Sequence, residues 1–325
     1  MDSDRTTRPA PTGVRSAAAM VLSAAALWGL SGTAGQFLMQ RGGVTAAWLA
    51  TTRMVVAGVL LLALAFARDR RALLAPWRTV GDAARLVAFG ALGLFLVQYS
   101  YLAAIAAANA SVATVLQYAG SGLVVLWGAL SAGRLPPWRQ GAALALAAVG
   151  IVLLATDGDP AHLTVPPAGL AWGVVSAVTL AVYTIVPQTL LRRFGTLPVV
   201  GWGMLIGAAC AAASLRPDLA APAAFRAGNV PLVAFVLILG TCVPFTLYLA
   251  STRRLATGDA ALLANAEPVA ATLAAVLWLH IRLGLLEALG AALILAATSH
   301  LVRVVAAGDR RPDAGGKEAL ARPAP

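Results

Sequence analysis

One carboxylate in this chain stands apart from the rest by its apolar surroundings. Of thirteen acidic residues, Glu267 alone lies deep within an apolar run. It follows the inner start of its segment (257–279) by ten residues, about 15 Å along a helix. An ionised acid at that depth costs roughly 2.5–3.5 kcal/mol on insertion scales, whose measured acid is Asp. The functional reading is a proton-coupling carboxyl that loads and releases a proton. The alternative is a structural hydrogen bond to a neighbouring helix. Pro268 follows directly. It removes a backbone donor, frees a carbonyl near mid-helix and kinks the segment. Unsatisfied backbone at that depth is tolerated only against protein or a wet cavity, so this segment is expected to face the interior.

Arg53 is the one cation inside an apolar run, about 12 Å from its outer boundary by helical rise. It can bind a substrate carboxylate or balance Glu267. It can also play a structural part, capping carbonyls or snorkelling to the outer surface. The remaining polar candidates are neutral. Gln98 and Tyr101 share one face of their helix, as do Gln117 and Ser121. With Trp28, Tyr183, Tyr248 and Asn265 they would line a cavity part aromatic and part hydrogen-bonding, suited to a small zwitterion or planar metabolite. Taken singly, each could instead be a helix–helix contact. Cys210 and Cys242 fall inside apolar runs, and neither they nor His162, His280 and His300 have the spacing of a metal site. No Gly-rich nucleotide loop is present, and no cofactor is expected.

The elements that must position these groups are membrane helices. Roughly 20 apolar residues cross a hydrocarbon core about 30 Å thick. The chain is 60% hydrophobic and 11% charged, with mean hydropathy +0.81. Ten such runs are read, at about 16–40, 45–67, 84–105, 109–132, 140–156, 167–187, 197–215, 229–250, 257–279 and 284–304. Nothing alternates as the strands of an outer-membrane barrel do. The first run is too long for a signal-peptide core and is expected to be retained. With the N-terminus inside, nineteen of the 24 basic residues fall on the inner side and four on the outer. That bias places both termini in the cytoplasm. It also accounts for the net charge of +11 without a nucleic-acid partner. Gly29, Gly32 and Gly35 are three apart, and Gly169/Gly173 and Gly203/Gly207 four apart, spacings that allow close helix approach.

The runs form two sets of five, and local sequence echoes between them. Leu27-Trp28-Gly29 is matched by Ala171-Trp172-Gly173, Gly93–Tyr101 by Gly240–Tyr248, and Arg134-Leu135 by Arg282-Leu283. An odd number of spans per set inverts the second set relative to the first, an architecture common among secondary transporters with a midplane site. The fold class expected is therefore an all-α membrane protein of ten transmembrane helices in two inverted five-helix repeats. Residues 1–15 would be a cytoplasmic tail, 16–156 and 167–304 the repeats, and 305–325 a disordered cytoplasmic tail.

In order along the chain, Leu27-Trp28-Gly29, Arg53-Met54, Gln98-Tyr99-Ser100-Tyr101, Ala110-Ser111 and Gln117-Tyr118 precede a second group. That group is Tyr183-Thr184, Thr246-Leu247-Tyr248-Leu249 and Glu267-Pro268-Val269. This order resembles the EamA-type carriers of the drug/metabolite transporter superfamily over about 16–304. The resemblance implies two inverted repeats around a central cavity, alternating access, and commonly export of amino acids or other small metabolites. It adds Tyr118 to the cavity candidates and places Arg53 on a helix flanking the cavity. The family's Gly-Glu-Arg-Leu has Gly133 and Ile281 at its glutamate positions here, and its proline after Gln-Tyr is replaced by Gly120-Ser121-Gly122. The expectation is a multi-pass carrier of the cytoplasmic (inner) membrane that exports a small molecule, with Glu267 coupling it to protons. An uptake permease of the same fold for a vitamin or nucleoside is the alternative. A membrane-embedded enzyme would need clustered His, Asp or Glu on a loop. Oligomeric state is not encoded in any of these features.

Overall fold

A computed structural model describes residues 11–131, 133, 135, 137–157, 159, 163–220, 223–251, 255, 263–264, 266–282 and 284–309. These residues are helical or irregular, with no strand among them. In chain order the long helices are α1 (Pro11–Gln40), α2 (Ala46–Arg68), α3 (Val80–Ala107), α4 (Ala110–Ser131) and α5 (Trp138–Thr156). They continue as α6 (Pro167–Phe194), α7 (Thr196–Leu215), α8 (Val230–Ala234, Phe235–Cys242 and Val243–Ser251), α9 (Ala266–Leu279) and α10 (Leu285–Asp309). Seven runs, in α1–α4 and α6–α8, are long and apolar enough to cross a membrane, and three shorter apolar helices lie in α5, α9 and α10. The ninth run was expected from 257, and residues 256–262 lie outside the described set.

Helix ends differ from the expected boundaries where local chemistry lets the helix continue. α1 begins at Pro11, inside the expected tail, because a proline in the first turn gives up no helical bond. At the other end α10 runs through Asp309 rather than stopping at 304. Thr45, Thr79 and Asn109 cap α2, α3 and α4 by accepting from Trp48 N, Asp82 N and Val112 N. Large side chains such as Val59, Leu92 and Leu277 are exposed, a surface that lipid tolerates and water does not.

α1 packs against α8 and α9, α6 against α3 and α4, α2 against α7, and α5 against α10. Hydrophobicity gives apolar helices no reason to associate in lipid, so close approach and polar links must do so. A Cβ on Gly150 would sit 2.7 Å from Gly290 O, and one on Gly290 2.6 Å from both Gly150 O and Leu154 N. The α5–α10 crossing is therefore backbone against backbone. Asp157, ending α5, accepts from Glu287 N at 3.2 Å, while Glu287 accepts from Gly284 N at 2.8 Å and caps α10.

At the opposite membrane face, Arg193 of α6 grips Asp82 of α3 with both bonds from Nη1, at 2.7 and 2.8 Å. The Asp82 side chain is 3% exposed and that of Arg193 51%. Thr79 donates to Asp82 at 2.8 Å, and Arg85 lies 3.8 Å away. Trp77 meets Trp202 of α7 edge to face at 5.4 Å, and Trp202 donates to Leu73 O at 2.9 Å.

Both α3 and α8 contain a π-helical stretch, Phe89–Phe95 and Phe235–Cys242. The wider turn lets side-chain groups reach back five residues: Thr241 Oγ1 donates to Val236 O at 2.8 Å, and Cys242 Sγ to Leu237 O at 3.3 Å.

The α5–α10 crossing yields a prediction. Gly290→Leu should lower stability by about 1–3 kcal/mol or abolish folded yield, because backbone atoms cannot move aside. Gly141→Leu on α5, with nothing within 4 Å of its Cβ position, should be close to neutral. Unfolding midpoints of the two variants in detergent check this.

Candidate functional site

Glu267 is half-buried in the first turn of described α9. α1 is held against it because Gly29 has no side chain: a Cβ there would lie 2.6 Å from Ala271 N and 2.7 Å from Glu267 O. Thr33 Oγ1, one turn further on, lies 3.3 Å from Ala271 O and from Gly29 O. From α4, Ser111 meets Thr272 of α9 at 2.5 Å. One face of α9 is thus enclosed by protein, as expected of a helix carrying an acid and a proline.

The carboxylate's partner is Tyr118 of α4, whose hydroxyl lies 2.9 Å from Glu267 Oε2. The same hydroxyl lies 3.0 Å from Ala264 O. Ala264 is four residues before Pro268, so its carbonyl is the one the missing proline N–H leaves without a helical donor. One phenol therefore lies within hydrogen-bond reach of both the acid and the backbone defect beside it, with a single proton to give. Tyr118 can stand there because α4 breaks at Ala119, between Ala110–Tyr118 and Gly120–Ser131. A Cβ on Gly120 would collide with Ala177 O of α6. The Gly-Ser-Gly that replaces a proline in the sequence pattern is thus the point where α4 backbone lies on α6.

Arg53 does not snorkel to the outer surface. It is 6% exposed, and its Nε donates to Thr241 Oγ1 in the π-helical stretch of α8 at 3.1 Å. Nor does it pair with Glu267, although Arg53, Tyr101 and Tyr118 are all within electrostatic reach of that acid and Tyr248 within reach of Tyr118.

The neutral candidates divide. Tyr101 is buried, its hydroxyl 2.9 Å from Thr114 Oγ1 and filling the space beside Gly32. Gln117 donates to Ser176 of α6 at 2.8 Å and bridges two helices. Trp28 meets Phe245 at 5.5 Å and Tyr248 at 5.7 Å between ring centroids, which puts an aromatic wall from α1 and α8 near α9. Tyr183 stacks on Phe89 at 5.8 Å, and Tyr99 meets Trp172 edge to face at 5.4 Å. Gln98 and Ser121 are half-buried and form no hydrogen bond among the described residues, and Asn265 lies outside those residues. Among the described residues no cluster of His, Cys, Asp and Glu could hold a metal ion. A cleft of about 400 Å³ opens separately at the Arg68 end of α2, lined by Asp69, Phe194, Thr196 and Thr246 among others.

One partner of the site, Thr241, escapes sequence reasoning, and so does one pairing. Thr241 is a small polar residue in an apolar run, marked only by the adjoining Gly240. The Ala264 carbonyl was signalled by Pro268, but the residue that answers it was not.

Residues 15–156 and 167–303 each match the model of the EamA-like transporter family. The chain is 34% identical over 278 residues to the uncharacterized inner membrane transporter YicL of Salmonella typhimurium strain LT2, covering 85% of this chain and 91% of that protein. A solved crystal structure superposes with TM-score 0.59 at 23% identity, covering 93% of this chain and 99% of the other; that likeness concerns fold alone.

The shared phenol predicts energetic coupling. Tyr118→Phe should destabilise the native protein, and restoring the backbone donor with Pro268→Ala should remove part of that cost. The interaction energy should be about 0.5–2 kcal/mol. A double-mutant cycle on unfolding midpoints checks it; strict additivity would show that Tyr118 does not serve the Ala264 carbonyl.

Proposed function

The chain belongs to the EamA-like transporter family, and on that footing we propose that it is a proton-coupled secondary carrier of the inner cell membrane that exports a small metabolite or amino acid. Transport, not catalysis, is its task, and the cargo crosses by alternating access between two inverted five-helix repeats, 16–156 and 167–304.

The pattern of helix contacts supports the repeat. Exchanging each helix of α1–α5 for its counterpart in α6–α10 turns the α1–α8 and α1–α9 contacts into α6–α3 and α6–α4. The α2–α7 and α5–α10 pairs map onto themselves. The two π-helical stretches fall in counterparts α3 and α8. Trp28 packs on α8 and Trp172 on α3 in the same relation.

The observation that carries proton coupling is the placing of Tyr118 Oη between Glu267 Oε2 and Ala264 O. A phenol has one proton, so only one acceptor can receive it at a time. With Glu267 ionised, Tyr118 donates to the carboxylate and the Ala264 carbonyl goes without. With Glu267 protonated, the carboxyl donates to Tyr118 Oη and the tyrosine proton turns to Ala264 O. Loading a proton thus moves a hydrogen bond from the side chain of α9 to its backbone beside Pro268, the place where that helix is weakest.

Protein reconstituted in liposomes and screened with amino acids, vitamins and cationic dyes, with and without a pH gradient, tests this. Glu267→Gln should carry substrate with no response to the gradient. An unchanged gradient response in that variant would overturn the coupling. For orientation, a periplasmic reporter fused after Arg311 should be inactive; activity there would reverse the assigned topology.

A further inference from the structure

We propose that Arg53 is the binding site for a carboxylate of the transported solute, so that the cargo is a small carboxylate-bearing molecule, anionic or zwitterionic. This rests on the reading of the chain as a carrier but not on the reading of Glu267 as its proton site.

A guanidinium offers five N–H donors in a planar fork. Here Nε is occupied by Thr241 Oγ1 at 3.1 Å, and that threonine is itself anchored, donating to Val236 O at 2.8 Å within the π-helical stretch. The bond restrains the plane of the fork and leaves Nη1 and Nη2 as its unused donors. Neither Nη has a hydrogen-bond acceptor among the described residues, and no described carboxylate pairs with it. Nor is either nitrogen sealed by packing. Ser31 Oγ is the one described side-chain N or O atom both fully enclosed and without a partner, so neither Arg53 Nη is fully enclosed although the residue is 6% exposed.

A buried, uncompensated cation is destabilising by several kcal/mol in general, and removing its neutralising partner is what makes such sites costly. In Arg53 the charge is retained, held in one orientation, and left with its two-donor edge free. That edge matches the two oxygens of one carboxylate, each accepting one N–H. Phosphate could meet the same donors. Its second negative charge would find no second cation, because Arg53 is the one basic residue among the described residues of the membrane core, and Glu267 lies within electrostatic reach. A single carboxylate matches the guanidinium charge for charge.

The probes are matched pairs that differ in charge but hardly in shape: benzoate and benzamide, L-leucine and L-leucinamide, L-proline and L-prolinamide, with inorganic phosphate alongside. Their affinities for purified full-length protein are read from the shift in unfolding midpoint with concentration. At least one acid should bind roughly tenfold or more tightly than its amide. Arg53→Gln should erase that ratio, and Arg53→Lys should keep part of it. Thr241→Val, which leaves the charge but frees Nε, should weaken the acid while sparing the amide. If Arg53→Gln does not fold, the lysine and Thr241 variants carry the comparison. Equal binding of acid and amide, no response to any acid, a response to phosphate alone, or an unchanged ratio in all three variants would each overturn the proposal. Glu267→Gln should preserve the acid-to-amide ratio while abolishing gradient dependence, so each reading can fail without the other.

Discussion

Proline has no amide hydrogen, and in hydrocarbon no water replaces it. The carbonyl of Ala264 therefore needs a donor from another helix, and Tyr118 of α4 lies 3.0 Å away. Much of the arrangement around α9 follows from that need. α4 must come close, which the break at Ala119 and the bare Gly120 permit. α1 must close the other side, which Gly29 permits. Once the phenol is in place, the neighbouring carboxylate is within its reach, and the acid inherits a partner that the backbone already required.

The two buried charges do not neutralise each other. Arg53 and Glu267 come from helices that each have a separate polar anchor, Thr241 for one and Tyr118 for the other. A direct ion pair would hold both side chains in one geometry. Held apart, each keeps unused bonding capacity, and the bundle bears the electrostatic cost. The polar links elsewhere, Tyr101 to Thr114, Gln117 to Ser176 and Ser100 to Thr179, are neutral and mutually satisfied. They glue helices together at little expense.

Helix positions were legible because lipid imposes a length and a composition, and seven of the described runs meet both. Glu267 and Pro268 stood out for the same reason, since each violates the rule of its surroundings. Pairings were not. Tyr118 precedes Glu267 by 149 positions, and nothing in the local pattern of either connects them; only the family resemblance brought Tyr118 forward. Gln117 looked like its neighbour in type and depth, yet one helical position turns it toward Ser176 and α6. The π-helical stretches were hidden as well, because widening a helical turn leaves the apolar character of a run unchanged.

The grip of Arg193 on Asp82 has one partner in the wall and the other at the waterline. Were the two helix ends to part, the guanidinium would lose little, because solvent would take over its bonds. The cost of release falls on the aspartate, which cannot follow. It is not stranded, since the Thr79 hydroxyl remains bonded to it and Arg85 stands 3.8 Å off. Dissolved ions would therefore weaken the pair from the Arg193 side, with the Asp82 carboxylate still bonded to Thr79.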